Sequence, residues 1–548
     1  MNKKRISIFL ALVISVCAGL SACADPPGIA PPYSGQPAAP AVSSSVSSQS
    51  TSSAASTSST TSSAASATAS SETASAASQA STSSAAAESA VEIDKTAPQK
   101  SYTQPDDCSY QLNSDGTIAM NYGAILHAWC WSFDTITENL KDIKEAGYTS
   151  IQTSPINNCK VGDSGGTALY SDGEKGKWWY HYQPTDYVIG NYQLGSVDNF
   201  KKMCQEADKL GIKIIVDVPM NHVSSDVSVV NKNITGLCDQ PFHDRGEIGS
   251  YSSRKQVTQN DLLGLKDLNT QDPKVQEYIH EYLKTVISSG ASGFRFDAAK
   301  HIELPDDDPE YASDFWTVVL DNGAEFQYGE ILQGENDRIN DYAQIMSVTA
   351  SNYGKNIRMA ALGNVSTSVI ESYSAAGIDP SKFVTWVESH DNYCNDGSEN
   401  ETWWKLSESD VEVGWAIIAA RSGGAPLFYS RPDGSSKDDQ WGKNVIGKKG
   451  SDGFKSKTVS ALNHFRNEMA GLGETLSNPD ADKKVLIIER GDKGAVIINK
   501  SGSDYKLDGA QSVLKDGTYK DKLSDSEFTV SGGKISGTVA NDAIVVIY

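Results

Sequence analysis

Gly293-Phe294-Arg295-Phe296-Asp297-Ala298-Ala299-Lys300-His301-Ile302 decides how this chain reads, because it sets an arginine two positions before an aspartate on an apolar stretch with strand character. Residues two apart on a strand point to the same face. The guanidinium and the carboxylate are therefore neighbours, and the acid is expected to be held ionised. A buried carboxylate beside a fixed cation is a candidate nucleophile. The competing explanation is an ion pair that only fixes a strand, and the rest of the chain decides between the two.

Three more apolar runs end in acid, amide or imidazole groups. Ile212-Lys213-Ile214-Ile215-Val216-Asp217-Val218-Pro219-Met220-Asn221-His222 is the first. Glu325-Phe326-Gln327-Tyr328-Gly329-Glu330-Ile331 puts Glu330 in an apolar, aromatic setting, where desolvation is expected to raise its pKa toward that of a usable proton donor. Phe383-Val384-Thr385-Trp386-Val387-Glu388-Ser389-His390-Asp391-Asn392 is the third. Strands whose polar residues gather at their carboxyl ends describe a parallel α/β barrel with its site on one face.

Around these runs the chain alternates strand and helix patterns. Strands are expected at 123–131, 150–154 and 212–218, with helices at 137–146 and 196–210. After the third strand the alternation stops for a polar stretch, and long excursions from a barrel rim are usually functional. Strands six and eight are expected at 357–362 and 426–430. Beyond about residue 472 short strands separated by turns, at 484–489, 495–499, 528–531 and 543–548, predict an antiparallel β-sandwich.

Together the four runs resemble the signature regions of the α-amylase family of glycoside hydrolases, and Leu265-Lys266-Asp267-Leu268-Asn269 echoes a fifth. The resemblance covers residues 122–548. It implies a (β/α)8 TIM barrel at 106–222 and 286–472, interrupted by a small domain inserted after strand three at 223–285 and followed by a C-terminal antiparallel β-sandwich at 473–548. For the chemistry it implies Asp297 as nucleophile, Glu330 as acid, Asp391 as the third acid gripping sugar hydroxyls, and Arg295 orienting Asp297. His222 and His390 would hydrogen-bond the sugar in the cleaved subsite, and Tyr182 would stack on it beside Gln183, with Trp178 and Trp179 lining neighbouring subsites. Lys300 and His301 resemble the residues with which amylases hold the leaving-side sugars. Calcium is the implied cofactor, held by Asn221, Asp267, the His301 carbonyl and the Thr258 carbonyl. Animal-type members also bind chloride, partly through an Asn just before the His-Asp pair. That position is Ser389 here, and their further arginine is not evident near Gly423-Gly424-Ala425-Pro426, so chloride is not expected.

The first hundred residues are of another kind. Residues 1–22 have a basic start (Lys3, Lys4, Arg5), an apolar run and a small-residue end, the pattern of a secretory signal. Leu20-Ser21-Ala22-Cys23 resembles a bacterial lipobox, which implies lipidation of Cys23. Residues 23–105, rich in Ser, Ala and Thr, cannot bury a core and are expected to form a disordered tether. About 70 such residues reach roughly 50 Å. An extracellular, envelope-anchored location follows, with simple secretion as the alternative.

The formal charge of −22 becomes −25 without that signal, which contains no acid, so nucleic acid is excluded as a partner. Starch or a related α-glucan is the expected partner, and a monomer the expected state. Of eight cysteines, Cys108, Cys130, Cys159, Cys204, Cys238 and Cys394 remain after Cys17 and Cys23, and no pairing among them follows from the sequence. The favoured function is endo-acting α-amylase. An α-glucosidase, debranching or transglycosylating relative and an inactive glycan-binding protein are the alternatives.

Overall fold

The computed structural model describes residues 99–103 (backbone only), 108–161, 169, 177–394 and 405–548. Eight strands, β1 (Ile125–Ala128), β2 (Ser150–Thr153), β3 (Lys213–Pro219), β4 (Gly293–Asp297), β5 (Phe326–Gly329), β6 (Ser347–Thr349), β7 (Phe383–Trp386) and β8 (Ala425–Tyr429), close into a parallel barrel in sequence order. The fold is a (β/α)8 barrel.

Strand alternation sorts these residues into two sets. Ile125, Ile215, Phe326, Tyr328, Val384, Trp386, Ala425 and Leu427 fill the barrel interior. Their neighbours Leu126, Ile214, Val216, Phe294, Phe296, Phe383 and Phe428 pack outward in the main core. On β4 this leaves Gly293, Arg295 and Asp297 facing inward, toward the carboxyl end. Gly293 is required at the narrow end, where a Cβ would meet the Phe326 carbonyl oxygen at 2.3 Å.

Capping chemistry sets the surrounding helices. Ser132 accepts the Thr135 N–H to start Phe133–Glu145, a Ser196–Asn199 capping box starts Val197–Lys209, and Asp272 followed by Pro273 starts Pro273–Ser288. That last helix belongs to the barrel. It shortens the expected insert, whose end was set at 285, because an N-cap aspartate and an N1 proline start a helix at that point. The insert itself is mostly loop, with short helices Lys232–Thr235 and Arg254–Gln259, and is pinned by pairing of His222–Val223 with Lys266–Asp267.

Residues 357–362, expected as strand six, lie within and just past the helix Ser351–Ala361. Their apolar positions have helical spacing, whereas β6 is only Ser-Val-Thr and carries no apolar run to announce it.

C-terminal to the barrel, two antiparallel sheets face each other. One orders Gln99–Thr103, Glu474–Asn478, Val485–Arg490, Gly494–Asn499 and Ile544–Ile547; the other orders Tyr505–Gln511, Lys534–Val539, Glu527–Ser531 and Gly517–Lys520. Val485, Ile487, Ile497, Phe528, Val530 and Ile535 pack between them. Leu486, Ile488, Val496 and Ile498, on the other face, join the barrel's core. Covering both faces explains why Val485–Arg490 is buried throughout instead of alternating. Gln99–Thr103, at the end of the stretch read as tether, pairs with Glu474–Asn478 because that sheet offers an open backbone edge. The leader, Cys23 and the tether up to residue 98 lie outside the described residues.

Candidate active site

Four carboxylates and one arginine gather at the barrel's carboxyl end. Asp217 of β3 and Arg295 of β4 are partners in strand register. Arg295 Nη1 lies 2.6 and 2.8 Å from the two oxygens of Asp217 and 2.9 Å from Asp297 Oδ1, while Nη2 lies 2.8 Å from Glu330 Oε1. Glu330, the first residue after β5, also accepts the Ala298 N–H at 3.0 Å. Ala298 can aim that N–H because it takes a left-handed conformation, φ 49°, directly after Asp297. Asp391, in the short helix His390–Cys394 after β7, hydrogen-bonds Glu330.

This sharing corrects two expectations about protons. Burial is the largest influence on each acid. It pushes Asp297 up to about 8 against the pull of Arg295, opposite to the lowering that the arginine alone would give. Burial likewise outweighs Arg295 at Asp217, and at Asp391 it acts together with the neighbouring Glu330 charge to push the pKa well above the usual range. At Glu330, Arg295 and the Ala298 N–H overcome burial and hold the carboxyl below its ordinary value. The sequence predicts a solitary glutamate in an apolar setting, whereas the residue accepts two strong donors.

Imidazoles and rings wall the site. His390 stacks on Tyr182 with centroids 5.2 Å apart and 9° between planes, and meets Trp178 and His127 edge-on. Tyr182 donates to Asp217 Oδ2 at 2.8 Å, and His222 Nε2 lies 3.1 Å from the Tyr182 carbonyl. Burial holds His222 at about 4 and His390 well below its ordinary value, so both rings are neutral. Trp178 is buried, packing on Trp129, Trp179, Tyr182 and His390. Trp179 is partly exposed, with Lys177 over its ring. Gln183 Oε1 faces the Ser224 and Ser225 hydroxyls of the insert. Lys300 Nζ donates to the Leu332 carbonyl, and His301 Nδ1 lies 2.8 Å from the Val257 carbonyl.

The residues expected to hold calcium converge. Asn221 hydrogen-bonds Asp267, and both are buried. Thr258 follows Val257, whose carbonyl meets His301. Asp267 Oδ2 pairs with His243 Nδ1 at 2.6 Å, while Oδ1 is buried with no hydrogen-bond partner. Burial and the charges of Glu303 and Asp261 push Asp267 well above the usual carboxylate range. Oxygen donors short of positive charge fit a hard cation. Among the described residues no three His, Cys, Asp or Glu side chains are arranged to hold a metal, so amide and carbonyl oxygens would have to complete the shell.

Asp217 had been given no role, although its motif was recognised; strand register with Arg295 is the signal that identifies it. The Glu388–Arg431 pair, closed by Arg431 Nε on Glu388 Oε2 at 2.8 Å, was also missed, because Arg431 lies beyond β8. Among the described residues no disulfide joins Cys108, Cys130, Cys159, Cys204, Cys238 or Cys394.

The family model described as "Alpha amylase, catalytic domain" matches residues 115–246 and 250–405, and "Alpha amylase, C-terminal all-beta domain" matches 476–548. An α-amylase of Butyrivibrio fibrisolvens is 42% identical over 467 residues, covering 78% of this chain and 47% of the relative. One from Clostridium acetobutylicum is 38% identical over 439 residues, covering 78% and 54%. The chain therefore spans about half the length of these relatives. Among solved structures, a mutant α-amylase I of Eisenia fetida in complex with maltohexaose superposes with TM-score 0.61 at 19% identity, covering 78% of this chain and 97% of that one. An Anoxybacillus α-amylase does so with TM-score 0.61 at 16% identity, covering 78% and 98%. These two show likeness of fold.

Proposed function

Because the chain belongs to the α-amylase family of glycoside hydrolases, we propose that it is an endo-acting α-amylase, cleaving α-1,4-glucosidic bonds of starch, glycogen and maltooligosaccharides with retention. One observation carries this reading: Asp297 and Glu330 accept from adjacent nitrogens of one guanidinium at the barrel mouth, with Asp391 against Glu330. Retention requires two carboxyl groups close together, one ionised and one protonated.

Asp297 attacks the anomeric carbon as its bond to the glycosidic oxygen breaks, and that oxygen takes the proton of Glu330. Water then attacks the glycosyl ester, returns a proton to Glu330 and frees Asp297. Before the first step the cluster's proton has to lie on Glu330 and not on Asp297. Both touch Arg295, so moving the proton between them leaves the net charge unchanged, and the arginine stabilises whichever acid is ionised. Asp391 grips sugar hydroxyls and favours the cationic transition state. Neutral His222 and His390 hydrogen-bond the same sugar, and Tyr182, Trp179, Gln183, Lys300 and His301 contact it and its neighbours. Bound calcium, held by Asn221, Asp267 and the Thr258 and His301 carbonyls, would supply a structural cross-link between insert and barrel.

The leader, the lipobox-like Leu20-Ser21-Ala22-Cys23 and the Ser/Ala/Thr-rich segment support an extracellular enzyme tethered to the cell envelope. The test of the activity is starch digestion followed by iodine staining, reducing-end release and product anomer. Early loss of iodine colour with α-configured new ends is expected. Release of glucose alone from chain ends, β-configured ends or no release overturns the reading.

A further inference from the structure

Glu303 lies two residues beyond His301, is fully buried, and has no part in the chemistry above. Its Oε2 accepts the Thr270 hydroxyl, while Oε1 has no hydrogen-bond partner. Oε1 is not alone in this. Asp267 Oδ1 and Gln259 Oε1 are also buried and without a hydrogen-bond partner. His243 ties them into one cluster, with Nδ1 at 2.6 Å from Asp267 Oδ2 and Nε2 at 3.8 Å from Glu303 Oε1. In the neutral ring Nδ1 donates to Asp267, which turns the Nε2 lone pair toward the Glu303 oxygen. Gln259, itself fully buried, hydrogen-bonds Glu303 from the insert and donates one of its two amide N–H groups to Gln271 Oε1 at 2.7 Å.

Counting charges makes the cluster informative. Of the cations around it, Arg245 is exposed and acts on His243 from outside, and two are spent on other acids. Lys266 pairs with Asp244 and Asp261, and Arg254 with Asp307. Two buried carboxylates and a carboxamide oxygen are left around the His243 ring. Unpaired buried charge is costly, and unsatisfied buried acceptors add to that cost. A divalent cation answers the unsatisfied oxygens, and calcium accepts such irregular mixed oxygen shells.

We propose that Glu303 is a second acidic member of the calcium site at Asn221 and Asp267, facing the ion directly or through one of its waters, with Gln259 as an additional oxygen and His243 as the brace that sets Asp267. The inference rests on the calcium reading above and goes beyond it in making the site a two-carboxylate one. It also assigns the cation the task of neutralising charge that the apo fold cannot pair.

The experiment is calcium titration calorimetry on the chelator-stripped protein, with melting curves of apo and loaded forms, for the parent and Glu303→Gln. The parent is expected to bind calcium, and the variant at least about tenfold more weakly, since ligand charge tunes affinity at such sites. The apo variant is expected to melt at or above the apo parent, because it loses a buried unpaired charge, while its gain in Tm on adding calcium shrinks. Equal affinity in parent and variant overturns the proposal but leaves the calcium reading standing. So does an apo variant destabilised as much as the loaded one, which would make Glu303 an ordinary hydrogen-bonding residue. A parent that binds no calcium overturns both. If Glu303→Gln does not fold, Glu303→Asp, which keeps the charge but shortens its reach, decides: affinity at least about threefold weaker supports the proposal, and unchanged affinity refutes it.

Discussion

Arg295 and Asp217 face each other from paired positions on neighbouring barrel strands, and one guanidinium nitrogen lies within 2.8 Å of both Asp217 oxygens. Asp217 is thus the floor on which Arg295 rests while it serves Asp297 and Glu330. Asp217→Asn weakens that floor and leaves Arg295 two carboxylate partners. A shift of about 1 Å in a catalytic constellation costs on the order of 10²-fold. The kcat is expected to fall by about that much with little change in Tm; an unchanged kcat would remove Asp217 from the account.

The raised pKa of Asp297 makes a stability prediction with a definite sign. The unfolded side chain releases its proton near its ordinary value of 3.8, whereas the folded one keeps it to about 8. Between these values unfolding releases a proton, so this acid's contribution declines as pH rises and is fully lost above about 8. Asp297→Asn is expected to lose about 10⁴-fold or more in kcat, yet to melt higher than the parent by a margin that grows from pH 4 to pH 8. A margin that stays flat with pH, measured by calorimetric scans, would contradict the crowded-carboxylate picture.

Glu330→Gln removes the proton donor but keeps the shape. Substrates with poor leaving groups need that proton, and activated aryl glycosides do not. Starch hydrolysis is expected to fall at least about 10²-fold further than aryl glycoside cleavage. Equal losses on both would deny Glu330 the acid role.

How much of this was legible beforehand depends on the length of the signal. Arg295 and Asp297 could be placed on one face because β4 is a clean alternation of Phe with polar residues. β6 could not be found, since three residues with polar ends leave no periodic trace. The proton distribution was out of reach for another reason. It depends on Asp217 and Ala298 approaching Arg295 and Glu330, and neither distance is encoded in spacing along the chain. Glu303 was equally silent, because its neighbours His243, Gln259 and Asp267 come from the insert.

A ligand that binds only the folded state adds stability by mass action, about 4 kcal/mol at a thousandfold excess over Kd. Exhaustive chelation is therefore expected to lower Tm and activity together, with both restored by calcium. A melting curve that chelation leaves unmoved, with no metal found by elemental analysis, would remove the cation from the account.

The central claim is that Asp297 forms a covalent bond to the sugar, and an activated maltosyl fluoride given to Glu330→Gln tests it most directly. Fluoride departs without an acid, so the ester forms. Its hydrolysis lacks a base to activate water, so the ester accumulates. Mass spectrometry of the digested protein should find one maltosyl unit on the peptide carrying Asp297. A maltosyl unit on Asp391 or Asp217, or release of maltose with no adduct at any time point, would contradict it.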